Sequence, residues 1–237
     1  MFSTQDLRRL SLAVVLSLFL TVIPQVAMAA NPQASLDVEL LKKAITALKN
    51  EEDTFAALAL LETAGEPDVV ALHYSQLLRE LYFKEKDVPL MVMCGRAGIQ
   101  YTLSQASQIA DGDPAAAEKL RGIAKTIAYN LSVNCWPGWG DEGITVTATD
   151  LAAGYDAALL NLRLGRELNR NAEAMGNAHW AVGAHHLAAG RHAEAIAEFN
   201  KSAAEFVKAD KKDFELMSEG YTALTTRQTR KKNTPPP

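Results

Sequence analysis

From residue 35 to residue 224, apolar residues recur at intervals of three and four. Only short clusters of Gly, Pro, Asp and Asn break the runs. That spacing is the period of a helix with one buried face. It commits the chain to helices packed on helices, and the expected fold class is all-α. Ser35 caps a first helix through "SLDVELLKKAITALKN", with Leu36, Leu40, Leu41, Ala44, Ile45 and Leu48 on one face. Asp53 or Thr54 opens a short second helix, which Gly65 ends. A third spans Asp68 to Phe83, and "KEKD" is a polar turn. A fourth starts near Val88 with Pro89 in its first turn, where a missing N–H costs nothing, and runs to about Ala110. "DGDP" is a stop and a restart: Gly112 terminates, Asp113 caps and Pro114 begins a fifth helix reaching Val133.

One irregular segment interrupts this order. "NCWPGWGDEGITVTAT" holds three glycines, a proline and two of the three tryptophans. Its "ITVTAT" has strand propensity but no partner strand. Thr147 or Thr149 then caps a sixth helix, Asn169–Asn171 form a brief link, and helices seven and eight are separated at Gly190. "KADKKD" leads into a ninth helix through Leu224. Consecutive helices of this length joined by short turns suit a closed bundle or a stack of hairpins.

Residues 177–210 favour the stack. Gly183 stands where two helices approach closely, Gly190 supplies a left-handed turn, Ala195 faces Gly183's helix and Phe199 fills the space beyond it. With this phase the stretch resembles one tetratricopeptide repeat, and the rest of the chain resembles the family only loosely. Ser202 stands where the family carries alanine. His179 occupies the usual tryptophan position, one residue from Trp180, and His186 and His192 replace tyrosines. The resemblance implies a right-handed solenoid of about nine helices over residues 30–226. Its first helices would line a concave groove for a protein or peptide. In this chain Asn177, Trp180, Ala184 and Leu187 would face that groove, which is apolar. The paired lysine and asparagine with which some relatives hold a carboxylate are replaced by Trp180 and Ala184.

Four of the five histidines lie between His179 and His192. His179 and His186 are two turns apart, His185 and His186 face about 100° apart, and His192 follows the turn. Ligands for one metal need convergence, as in an i, i+4 pair, so no metal or cofactor is expected. The tryptophan loop is the alternative site. Trp136 and Trp139 could stack on a sugar or ring, with Asp141 and Glu142 as carboxylates, giving a small-molecule-binding module or an enzyme. Glycosidase chemistry sets two carboxylates about 5–10 Å apart across a substrate, which adjacent residues do not achieve unaided. The other reading of the loop is a plug that closes the groove. Helix five returning along helix four places Cys94 and Cys135 within roughly 8 Å along the axis, so they form a candidate disulfide.

The chain begins with Arg8 and Arg9, a fourteen-residue uncharged apolar run, Pro24 and "AMA" at 27–29. This is the pattern of an export signal cleaved near Ala29, with a run short of the roughly 20 residues that span a bilayer. A periplasmic or secreted protein follows, with no transmembrane segment in its mature chain. With 24 Lys+Arg against 28 Asp+Glu it lacks the basic face that nucleic acid requires. Residues 227–237, "RQTRKKNTPPP" from Arg227, are expected to be a disordered basic and proline-rich tail. Nothing in the sequence specifies a reaction. The expected function is a non-catalytic scaffold that binds a protein or peptide, with self-association through the stack ends as a further candidate.

Overall fold

The computed structural model describes residues 38–51 and 54–233, with side chains at 38–49 and 54–229. The export signal, its cleavage site, the Ser35 cap and the terminal prolines lie outside the described residues. The described chain is all helical. In order the helices are α1 (Val38–Thr46), α2 (Thr54–Glu62), α3 (Pro67–Phe83), α4 (Val88–Ile109), α5 (Pro114–Asn134), α6 (Ala148–Glu167), α7 (Ala172–Ala188), α8 (His192–Lys208) and α9 (Lys212–Asn233). A π-helical turn, Ala47–Glu51, continues α1, and a 3-10 turn, Pro137–Trp139, lies in the long loop after α5. No strand occurs among the described residues, and the last two residues of "ITVTAT" enter α6.

The helix ends follow local chemistry. Asp87 accepts from Leu90 N at 2.9 Å and Asp113 from Ala116 N at 2.9 Å, each satisfying a backbone donor the helix leaves orphaned. Each such cap contributes about 1 kcal/mol. Thr147 and Asp150 form a reciprocal capping box at α6, and Asn171 accepts from Ala174 N to start α7. Gly190, at φ 72°, makes the left-handed turn between α7 and α8. One end departs from expectation. Helix α9 does not stop at Leu224, and residues 227–233, expected to be a free tail, continue it.

Each helix packs chiefly on its successor, and α3 also reaches past α4 to α5. Glycines set the closest approaches. A β-carbon at Gly98 would stand 2.7 Å from Tyr74 Cβ, so α3 and α4 meet backbone to side chain. The core has two principal clusters. The first runs from Leu41 through Tyr74, Met91 and Leu131 to Ala157. The second gathers Trp136, Ala158, Trp180 and Phe199, with Tyr221 packed against them. Helices α5 and α6 contribute to both. Among the described residues no helix is long and apolar enough to cross a membrane.

Candidate functional site

The stretch 177–210 packs as its glycine and alanine spacing requires. A β-carbon on Gly183 would stand 2.8 Å from the Phe199 ring, and Ala195 and Phe199 are fully buried. Ser202 has a use that its sequence position does not announce. Its hydroxyl donates to the Gly176 carbonyl at 2.8 Å and meets Ser218 Oγ at 2.9 Å, tying α7, α8 and α9 together.

The two tryptophan segments meet. Beyond Asn134 the chain turns through Cys135, and Trp136 folds its ring back over Gly138, which has no side chain to obstruct it. Trp139 Nε1 donates to the Val133 carbonyl at 2.7 Å, which fixes its ring. That ring stacks on Trp180 at 5.5 Å and 29°. Trp136 meets Trp180 edge-on at 5.3 Å and Trp139 at 4.8 Å. Tyr221 of α9 closes the group against Trp180 at 5.6 Å and stacks on Phe199 at 5.2 Å. Trp180 is therefore 4% exposed and Ala184 1%. Of the four expected groove residues, only Asn177 and Leu187 keep partial exposure, and Asn177 donates to the Glu173 carbonyl at 3.1 Å. Trp180 is covered by the chain's own loop. The edge of the cluster that reaches solvent is Trp139 and Tyr221.

The residues that follow the tryptophans contact α3 and the turn after it. Asp141 accepts from the Tyr82 hydroxyl at 2.7 Å, and the Glu142 carbonyl accepts from Lys86 Nζ at 2.7 Å. Burial first, and then Asp141, hold the Tyr82 hydroxyl well above the usual phenol range. The tryptophans thus brace the loop against α7 and α9, and the acidic side braces it against the α3–α4 corner. Trp136 and Trp139 pack on Trp180, while Asp141 is held at Tyr82.

The histidines also separate. His179 Nδ1 donates to Glu198 Oε2 at 2.6 Å, between α7 and α8. His185 is buried, with Nε2 3.1 Å from the Ser132 carbonyl of α5. Desolvation lowers its pKa to about 4, and the Ser132 carbonyl only partly offsets that. His186 accepts from Arg191 Nε at 2.8 Å and meets the Tyr155 ring edge-on at 5.2 Å. Among the described residues no three His, Cys, Asp or Glu side chains gather as metal ligands.

The candidate disulfide is not formed. Cys94 and Cys135 are both free thiols buried in the first core cluster. Axial distance along antiparallel helices says nothing about azimuth. Cys135 turns its β-carbon against α6, in the space Gly154 leaves open. Burial pushes both thiols up to about 12, so neither carries thiolate character near neutrality.

No protein-family model matches the chain, and the curated proteins contain no significant match to it.

Proposed function

We propose that the protein is an exported, non-catalytic scaffold of stacked helical hairpins, a right-handed solenoid of tetratricopeptide type, that binds a protein or peptide at the aromatic cluster around Trp180. The observation that carries this reading is the convergence of Trp136, Trp139, Trp180 and Tyr221 from a loop and two helices. Tryptophan and tyrosine are the preferred anchors of protein interfaces. The repeat-like contact of Gly183 with Phe199 and the left-handed turn at Gly190 support the hairpin stack. The consecutive packing of helices supports it as well. The loop forms the floor of the binding surface. A partner docks on the outer edge formed by Trp139, Tyr221 and Leu187, not in an open groove at Trp180.

The test is capture from an envelope extract with residues 30–237, alongside Trp139→Ala. Trp180→Ala would remove a core residue and confuse binding with folding, whereas Trp139 sits at the solvent edge. The expected result is a partner whose affinity falls about thirtyfold in the variant, the loss of an interface anchor worth about 2 kcal/mol. Far-UV circular dichroism should be unchanged. Equal capture by wild type and variant, or no partner, would sink the proposal.

A further inference from the structure

Lys125 of α5 and Arg170, in the link between α6 and α7, face the same interface. Two glycines make the room. A β-carbon on Gly122 would stand 2.5 Å from Arg170 Nη2, so the guanidinium lies against α5 at Gly122 and would have to shift for a larger residue. A β-carbon on Gly165 would stand 3.3 Å from Lys125 Cε and 3.0 Å from Met175 Sδ, so the lysine stem runs along α6 beside α7. Gly122 and Lys125 are three residues apart on α5, which puts them on one face.

Neither cation has an ion pair or side-chain hydrogen bond among the described residues. The carboxylates of the neighbouring elements are committed elsewhere: Glu167 to Arg121 and Arg163, and Glu173 to Lys211. A half-buried lysine and an exposed arginine therefore lie close together, with no carboxylate paired to either among the described residues. Burial, then Arg170, lowers the Lys125 ammonium to about 8. A second observation lies one turn back from Gly165 on the same face of α6. Asn161 is 0% exposed, and neither its amide nitrogen nor its oxygen has a partner. Buried polar atoms in native folds are nearly always satisfied, so Asn161 carries unused polar capacity on α6 one turn from Gly165.

We propose that Lys125 and Arg170 form a binding site for a small oxyanion, phosphate or carboxylate, seated between α5 and the α6–α7 link. The anion neutralises both cations at once, and Arg170 offers the planar fork that matches two oxygens. This site stands apart from the tryptophan cluster and does not depend on that surface binding anything.

Inorganic phosphate is the first probe and acetate the second, each titrated into the intact protein against sodium chloride at equal ionic strength, with the melting temperature followed. Phosphate or acetate should raise it by about 3 °C or more at saturation, beyond chloride. Lys125→Met and Arg170→Gln should each abolish that rise. Gly122→Ala, which keeps both charges and displaces only the guanidinium, should weaken binding about tenfold. Phosphate alone acting marks a phosphate site, and acetate acting equally marks a carboxylate site. Neither ion acting beyond chloride overturns the proposal, as does a rise that persists in both charge variants. If a charge variant melts much lower by itself, the ion-dependent increment in Gly122→Ala decides.

Discussion

At the scale of single residues, His185 and Glu198 make stability fall with acid by two separate routes. Burial first, and then His186 and Arg191, hold the His185 imidazole at about 4, while the Ser132 carbonyl opposes them. An unfolded histidine titrates near 6.5. Above that pH the ring is neutral in both states. As pH drops from 6.5 to 4 only the unfolded chain takes the proton, so up to about 3 kcal/mol of stability is lost across that window. Burial alone would raise the Glu198 carboxyl. The hydrogen bonds from His179 and Lys201 outweigh it and bring it to about 2, so its contribution is present above about 4.5 and is lost as pH falls toward 2. Urea midpoints at pH 7, 5.5 and 4.5 should therefore decline steadily. His185→Leu should flatten the decline between 6.5 and 4, and an unchanged slope would refute the assignment. Asn161 offers the opposite case. Replacing an amide with no partner by an apolar group of similar volume removes an unmet desolvation cost, so Asn161→Leu should stabilise by about 1–2 kcal/mol in the same assay. The cap at Asp113 was legible because a cap is local, with acceptor and donor three residues apart, whereas Asp87 and Asn171, read only as parts of a turn and a link, cap their helices at the same spacing. The pairings of His179, His185 and Ser202 were not legible, because their partners lie 16 to 53 residues away.

At the scale of helices, the glycines separate what sequence phase can foresee from what it cannot. Gly183 was legible, because its repeat phase demands a close approach, and Phe199 fills it. Gly154 carries no such signal, yet it lets α6 meet both the end of α5 and α7. A β-carbon there would collide with Cys135 Cβ and stand 2.7 Å from His185 Cε1. Neither is the free end of a flexible chain, so Gly154→Ala should cost about 2–3 kcal/mol, near the top of the range for overpacking. Gly183→Ala should cost somewhat less, since a ring edge can tilt. Gly220 in α9 meets nothing within 4 Å, and Gly220→Ala should stabilise by about 0.5–1 kcal/mol through helix propensity alone. Chemical denaturation of the three variants checks that ranking, and a destabilising Gly220→Ala would refute it. The tryptophan loop divides along the same line. Its length and composition marked it as irregular, and a plug was one of its readings. Only the folded chain reveals that Trp139 stacks on Trp180 while Asp141 accepts from Tyr82, because both partners lie far along the chain.

At the scale of the whole molecule, consecutive packing and a divided core have a thermodynamic consequence. Helices that touch mainly their successors are coupled through nearest-neighbour interfaces, so one end of such an array can lose structure before the other. The first cluster holds α1 to α4 against α5 and the start of α6. The second holds α7 to α9 against the end of α5, the loop and the middle of α6. All three tryptophans lie in or against the second cluster. Tryptophan fluorescence therefore reports the C-terminal cluster, while far-UV circular dichroism reports every helix. Deleting residues 211–237 removes Tyr221 from Trp180 and Phe199, and Ser218 from Ser202. The truncated chain should show a fluorescence transition at clearly lower urea, while a second ellipticity transition, belonging to α1–α5, stays close to its wild-type position. Helices α5 and α6 belong to both clusters and set the strength of the coupling, so Gly154→Ala in the full chain should also pull the two transitions apart. If the two probes stay coincident in both variants, the clusters fold as one cooperative unit. The contact of α5 and α6 would then outweigh the division of the core.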